Sequence, residues 1–308
     1  MPTMDFYKQI SDNKRMTYLL FFGFFILIGV LASFLAFILG GFNIYGLSFL
    51  FIFGFFIILY ALISYYFCDS IVTAVSGAIE TKPDDPLYKK LHNIVEEMCI
   101  ASGLKKPRVF VINDTAINAF ATGRDPEHAI ICVTTGAMTL LTRDELQGVV
   151  AHELSHIKNY DIRTMTIAAV LVGIAVLLSD LILRIALYSK SDSDSKDMRL
   201  WIILIVFALV LAALTPLIAN LIKLSVSRKR EYMADAGSAE MTRNPLGLAS
   251  ALEKIGADKE PLEAANKATA HMYISDPLKN TKGMWLKGMF STHPPLEERI
   301  SLLKGMKQ

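Results

Sequence analysis

Residues 16–68 contain no charged side chain, and this unbroken run constrains the fold more than any other feature of the chain. The hydrocarbon core of a bilayer is about 30 Å thick, so an α-helix needs about 20 apolar residues to cross it. Gly40 and Gly46 offer a turn inside the run. The run therefore predicts two transmembrane helices, near residues 16–39 and 47–67, because helices satisfy their own backbone hydrogen bonds in lipid.

Two further apolar runs, residues 164–179 and 200–222, lie in the second half of the chain. Asp180 and Arg184 follow the first of these runs, and their spacing of four residues allows an ion pair on one face of a helix. We expect the two runs to form a second transmembrane hairpin. The alternative is a buried helical hairpin of a soluble domain, because a run of 16 residues is short for a span.

The distribution of lysine and arginine predicts the orientation of these spans. Lys8, Lys14 and Arg15 precede the first span, and four basic residues between 223 and 230 follow the last one. The turn of the first hairpin carries no basic residue. Basic residues mark the cytoplasmic side of a membrane protein, so we expect four spans with both termini in the cytoplasm.

The composition agrees with a membrane protein whose polar parts face a reducing compartment. Apolar residues make up 53% of the chain and charged residues 19%, which is too apolar for an ordinary soluble domain. Cys68, Cys99 and Cys132 form no closely spaced pair, and this argues against a disulfide framework. The formal net charge of +2 gives no indication of a nucleic-acid partner.

The polar segment between the apolar pairs alternates between helical and strand patterns, which predicts a small α+β unit. Thr142, followed three residues later by Glu145, matches a capping box at the start of a helix. A last helix is expected over residues 296–303. The elements expected before the cap are an amphipathic helix over 86–101, which Gly103 ends, and strands over 108–112, 118–123 and 129–134.

The helix that Thr142 caps contains the sequence His152-Glu153-Leu154-Ser155-His156. Histidines four residues apart lie on one helical face, so the imidazoles of His152 and His156 can bind one metal ion. Glu153 projects beside them, where its carboxylate can reach a water molecule on the metal. The pattern predicts a zinc-dependent hydrolase. The capping box and the neighbouring strands disfavour the alternative, an ordinary exposed polar helix face.

A third protein ligand must complete such a site, because catalytic zinc usually takes three and keeps one position for water. Asn159 and Ile162 stand where a glycine and a third histidine would follow the motif in one class of zinc proteases. Glu231 is the candidate, because the second hairpin would return the chain to the same side of the membrane. Asp235, one turn later, could accept a hydrogen bond from a ligand imidazole. The alternative for residues 228–235 is a charged helix beside the membrane.

The chain resembles the HtpX-type membrane zinc metalloproteases of bacteria and archaea, which are related to the CAAX prenyl proteases. This resemblance covers nearly the whole chain, including two N-terminal spans and a second hairpin. It implies a gluzincin-type site in which His152, His156 and Glu231 bind zinc and Glu153 is the catalyst. The motifs that carry it are NAFATG, HELSH, SRKREYMAD and, near the C-terminus, THPP.

The resemblance also implies two further roles. Asn118, Ala119 and Phe120 would form an edge strand that pairs with an extended substrate, although the residues alone fit a packed internal strand equally well. His293 precedes two prolines that could hold it rigidly near the cleft, where it could donate a hydrogen bond to the oxyanion. The alternative for His293 is a stiff turn before the last helix.

We therefore expect a mostly α-helical membrane protein with four transmembrane helices and a small α+β gluzincin catalytic domain. The expected activity is hydrolysis of peptide bonds with one zinc ion, on protein substrates in or at the cytoplasmic membrane. The resemblance points to misfolded or damaged membrane proteins as substrates. The alternatives are a processing protease for one defined substrate, a non-enzymatic zinc-binding membrane protein and a transporter. The expected parts are a tail and hairpin (1–68), a cytoplasmic catalytic part (69–162), a second hairpin (163–226) and a second cytoplasmic catalytic part (227–308).

Overall fold

The computed structural model describes residues 43–167, 228–262, 272–274 and 294–306, together with residue 184 and isolated positions between 11 and 33. In these parts of the chain, helices pack against a small mixed sheet. This agrees with the expected combination of helices and an α+β unit. Most of the first predicted span and most of the second predicted hairpin lie outside the described residues.

The second predicted span coincides with helix α1, Ile44–Tyr66. Most of its large apolar side chains face outward; Phe51, for example, is 79% exposed. Exposed apolar surface of this extent normally contacts a membrane or another protein. Helix α2, Cys68–Ser76, follows after a bend of 74°. No single helix in the described ranges is long and apolar enough to cross a membrane. The bent pair Leu50–Tyr66 and Cys68–Ser76 reaches the required length and apolar composition only when the two helices are taken together.

The sheet has four strands in the order β1-β2-β4-β3. Strands β2 and β4 run parallel, and β1 and β3 pair antiparallel with the outer sides of these two. All residues of β4 are buried, as expected for a central strand rich in β-branched side chains. The three strands predicted from the sequence are present, and β3 begins one residue later than predicted. The strands are β1 (Ile79–Glu80), β2 (Arg108–Ile112), β3 (Ala119–Gly123) and β4 (Ala129–Thr134).

Helix α3, Lys89–Ser102, covers the sheet with a buried apolar face. It ends at Gly103, whose φ of +71° is the left-handed conformation that glycine adopts readily. The predicted start at residue 86 is wrong. The carboxylate of Asp85 accepts a hydrogen bond from the backbone N–H of Leu87 at 2.9 Å, and this turn delays the helix.

Helix α5, Arg143–Lys158, carries the metal-binding motif and begins as predicted. It follows a short helix α4, Thr135–Leu140. The Thr142 hydroxyl accepts the N–H of Glu145 at 3.3 Å, and the Glu145 carboxylate accepts the N–H of Thr142 at 2.7 Å. This is the predicted capping box. Lys254 also donates to the Glu145 carboxylate at 2.7 Å, so the start of the motif helix is tied to a later helix.

Three helices lie in the described residues after the second apolar pair: α6 (Arg228–Thr242), α7 (Pro245–Ala257) and α8 (Leu296–Lys304). Helix α6 crosses α5 at very short range. A methyl group added at Gly237 would lie 2.2 Å from the Ser155 hydroxyl, and the Ser238 hydroxyl donates to the Gly148 carbonyl at 2.7 Å. Small residues at the crossing therefore allow α6 to bring its first turn against the motif of α5.

We expect a single methyl group at this crossing to strain it, because even after the Ser155 hydroxyl turns away the Cβ of Ser155 lies 3.1 Å from the new methyl group. Overpacking of this kind costs about 1–3 kcal/mol, which exceeds the gain of up to about 1 kcal/mol in helix propensity. Gly237→Ala should therefore lower the temperature of unfolding, as followed by circular dichroism in detergent.

Gly256→Ala on α7 is the matched control, because its new methyl group meets only the flexible end of Leu296, at 3.2 Å. This variant should unfold at the wild-type temperature or above it. Equal unfolding temperatures for the two variants would show that the crossing is not tightly packed.

Candidate metal centre

Two imidazoles and one carboxylate meet where α5 and α6 cross. The Nε2 atoms of His152 and His156 are 3.2 Å apart, and Glu231 places one oxygen 3.5 Å from His156 and the other 3.9 Å from His152. All three side chains are buried. Tetrahedral zinc with ligands at about 2.0–2.1 Å separates its ligand atoms by about 3.3 Å. These three donors thus have the chemistry and the spacing of a zinc site.

Each imidazole is held from behind by a carboxylate. Nδ1 of His152 lies 3.0 Å from Oδ1 of Asp235, and Nδ1 of His156 lies 2.9 Å from Oδ2 of Asp161. A carboxylate in this position fixes the ring and keeps Nε2 available for a metal. The sequence had singled out Asp235. Asp161 was missed, although a buried acidic residue five positions after a motif histidine is a usable signal.

Each of these carboxylates in turn faces an arginine. Arg299, on α8, donates to both oxygens of Asp235 at 2.7 and 2.8 Å. Arg230 lies 3.7 Å from Asp161. Two chains of contacts therefore run from imidazole to carboxylate to guanidinium, one for each histidine. Neither arginine was predicted from the sequence as part of the site.

The buried charges around the imidazoles have a net negative sum, which favours a bound cation. Four carboxylates and two guanidinium groups surround them, so the fully ionised group carries two net negative charges when both imidazoles are neutral. Burial of uncompensated charge is costly, and a divalent cation would bring the group to neutrality. The members are Glu153, Asp161, Glu231, Asp235, Arg230 and Arg299.

The two histidines respond to these surroundings in opposite directions. Burial lowers the pKa of His152 to about 4 despite its contact with Asp235. Burial acts the same way on His156, but the hydrogen bond with Asp161 and the charge of Glu231 outweigh it and raise its pKa to about 9. The carboxylates beside His156 therefore favour positive charge there, whereas burial keeps the His152 imidazole neutral, which is the form that binds a metal.

Glu153 lies beside this group with one oxygen unused. Burial and the charge of Glu231 raise the pKa of Glu153 to about 7, although the hydrogen bond from the Ala121 backbone opposes the shift. Its Oε1 is buried and has no hydrogen-bond partner among the described residues. A carboxylate with a pKa near neutrality can both accept and donate a proton at physiological pH.

Strand β3 lies at an edge of the sheet, directly beside Glu153. Residues 272–274 of the same chain pair with part of this edge. The N–H of Ile274 donates to the carbonyl of Ala119 at 3.0 Å, and Phe120 and Tyr273 face each other in an antiparallel bridge. Their rings pack edge to face with centroids 4.9 Å apart. This pairing was not predicted from the sequence.

Other backbone groups of β3 also have partners within the chain. The side-chain oxygen of Asn118 accepts the N–H of Ala119 at 3.0 Å. Gly123 donates its N–H to the hydroxyl of Thr166 at 3.4 Å and accepts from the same hydroxyl at 3.3 Å. His293, the remaining predicted site residue, lies outside the described residues; the structure resumes at Pro294, before α8.

Residues 87–307 match peptidase family M48. The chain belongs to this family. It is 42% identical to the protease HtpX homolog of Thermoanaerobacter pseudethanolicus over 99% of both chains. It is 44% identical to the protease HtpX homolog of Dictyoglomus thermophilum over 99% of this chain and 96% of that one.

The M48 chain also shares its fold with a solved structure, Ste24p of S. mikatae. The TM-score is 0.51 at 18% sequence identity, and the match covers 96% of this chain and 66% of that one. Together with the relatives, these findings confirm the predicted resemblance to HtpX and the prediction of a membrane zinc metalloprotease.

Zinc should stabilise the metal-free protein through these donors. Free zinc at about 100 times its Kd adds about 2.7 kcal/mol to the stability of a single-site protein, which raises the unfolding temperature of a chain of this size by several degrees. Glu231→Gln should lose most of this zinc-dependent gain in a calorimetric scan.

Glu240→Gln is the control, because Glu240 lies on the exposed side of the same helix. It should keep the full gain with zinc. An unchanged gain in Glu231→Gln would show that zinc binds without the Glu231 carboxylate.

Proposed function

We propose that this M48 peptidase cleaves misfolded or damaged membrane proteins at the cytoplasmic face of the membrane, with His152, His156 and Glu231 as its zinc ligands. The observation that supports this most is the meeting of three metal donors from two distant segments beside Oε1 of Glu153, which has no hydrogen-bond partner among the described residues. A structural zinc site would usually be closed by four protein ligands. Among the described residues only three donors converge.

In the proposed reaction, Glu153 handles the proton. When bound, zinc lowers the pKa of water and polarises the scissile carbonyl. Oε1 of Glu153 accepts the proton of the attacking water and then passes it to the leaving amine. In the metal-free protein, burial raises the pKa of Glu153 to about 7. Asp235 and Asp161 hold the two imidazoles in place throughout.

The proposed substrate is an extended polypeptide that pairs with β3. Asn118, Ala119 and Phe120 would align it, because an edge strand offers its backbone groups to an added strand. The neighbouring Ala121 already contacts Glu153, so a peptide on this edge would pass the proposed base. Residues 272–274 use part of the same edge, and a substrate that pairs with Ala119 must therefore displace them.

The membrane arrangement is part of the same proposal. Four transmembrane helices, two of them within 1–68 and two within 163–226, would place the catalytic parts 69–162 and 227–308 together on the cytoplasmic side. The basic residues that flank the predicted spans support this orientation. His293 would assist as a donor to the oxyanion of the substrate. The proposed substrates are membrane proteins, and nucleic acid has no part in the function.

Replacement of the proposed base should separate metal binding from catalysis. Glu153→Gln keeps the size of the side chain and cannot accept the proton, so we expect wild-type zinc content and a loss of casein cleavage by orders of magnitude. Zinc content and cleavage would be measured on the same preparation.

The matched control is Glu96→Gln, the same change at an exposed position that pairs with Lys106 on the surface. It should cleave casein at the wild-type rate. Near-normal cleavage by Glu153→Gln would rule out Glu153 as the base.

A reversible lock on residues 272–274 tests where the substrate binds. Phe120 and Tyr273 form a bridge without direct backbone bonds between them; the Cα atoms of such a pair lie about 4.5 Å apart, within reach of a disulfide. Phe120→Cys with Tyr273→Cys, in a Cys132→Ala background because Cys132 faces Phe120, should be inactive when oxidised and active when reduced.

Phe120→Cys alone in the same background is the control, and its activity should not depend on the redox state. Full activity of the oxidised double variant would mean that substrates do not replace this segment on β3.

A further inference from the structure

We infer that Arg299 is a positioning residue of the metal centre, which holds Asp235, and through it His152, in the orientation that metal binding requires. This inference rests on the proposed zinc site. Arg299 belongs to α8, far in sequence from the ligands, and no part of the metal-binding motifs includes it. The geometry alone connects it with the site.

The side chain of Arg299 is fully buried, at 0% exposure. Arginine is almost never buried to this extent unless it is paired. Its Nε and Nη2 donate to the two oxygens of Asp235 at 2.8 and 2.7 Å, a bidentate pairing of the planar guanidinium with the carboxylate. Such a pair fixes the plane of the carboxylate as well as its position, which a single point charge cannot do.

The carboxylate of Asp235 transmits this orientation to a metal ligand. Its Oδ1 accepts from Arg299 and lies 3.0 Å from Nδ1 of His152, so both donors converge on one oxygen. The same guanidinium places Nη1 3.5 Å from Oε2 of Glu231. Nη2 of Arg299 also lies 3.5 Å from both ring nitrogens of His152. One side chain of α8 is therefore within 3.5 Å of a ligand from α6 and of a ligand from α5, and it also holds the second of these through Asp235.

A purely structural role would be the anchoring of α8 in the core. Other contacts already serve that purpose: Leu303 is buried in the main apolar cluster, and Lys304 pairs with Glu253 on the surface. An apolar side chain at position 299 would anchor the helix without the desolvation that a buried charge requires. The charge of Arg299 and its planar guanidinium match the carboxylates of Asp235 and Glu231, and the packing of α8 does not require them.

The test compares Arg299→Lys, which keeps the charge but cannot form the bidentate pair, with Leu303→Ala, which loosens the same helix by removing apolar contacts in the main cluster. Zinc affinity of the metal-free proteins is measured in detergent by competition with a chelating dye, below the unfolding temperature of each variant. The cobalt-loaded forms give the ligand geometry from their visible absorption. Casein cleavage is recorded separately.

We expect Arg299→Lys to bind zinc about 10–100-fold more weakly than wild type and to shift the cobalt absorption. Leu303→Ala should unfold at a lower temperature but keep wild-type affinity and absorption. Wild-type affinity and absorption in Arg299→Lys, an equal loss of affinity in both variants, or failure of Arg299→Lys to fold in the presence of zinc would each overturn the inference. A wild-type protein that binds no zinc would instead refute the proposed metal site itself.

Discussion

The close crossing of α5 and α6 is the constraint on which the site depends. His152 and His156 lie on one helix and Glu231 on the other, so the three donors meet only if the helix axes approach closely. Gly237 against Ser155 makes this approach sterically possible, and the hydrogen bond from Ser238 to the other helix fixes it. The sheet and α3 cover the far side of α5 and keep water from the crossing.

Charge compensation is the second element of the architecture. Each imidazole contacts a carboxylate, and each of these carboxylates contacts an arginine. The arginines therefore fix the carboxylates that orient the rings. The group still carries excess negative charge when its acids are ionised, and this favours a cation between the Nε2 atoms. Glu153 is buried with this group but has no such arginine partner among the described residues, and burial raises its pKa to about 7. The same buried environment therefore contains two kinds of group: His152, His156 and Glu231, which can bind a metal, and Glu153, which can transfer a proton.

The sequence predicted what local patterns determine. The capping box at Thr142, the strands and the spacing of His152 and His156 each depend on residues within a few positions of one another. Glu231 could be predicted only by assuming that the second hairpin returns the chain to the same side of the membrane. Arg299 could not be predicted, because its partner Asp235 lies 64 positions earlier and no repeating pattern connects the two. The pairing of residues 272–274 with β3 could not be predicted, because a single bridge is too short to leave a strand pattern in the sequence. The start of α3 was placed too early because the apolar periodicity extends into a turn that Asp85 closes.

The central claim is that two imidazoles and the Glu231 carboxylate hold one zinc ion. A crystal structure of the zinc-loaded protein, with anomalous diffraction recorded on both sides of the zinc absorption edge, tests this most directly. The account predicts a single strong peak about 2.0–2.2 Å from the Nε2 atoms of His152 and His156 and from a carboxylate oxygen of Glu231. A peak elsewhere in the molecule, or one at the histidines with the Glu231 carboxylate turned away, would contradict it.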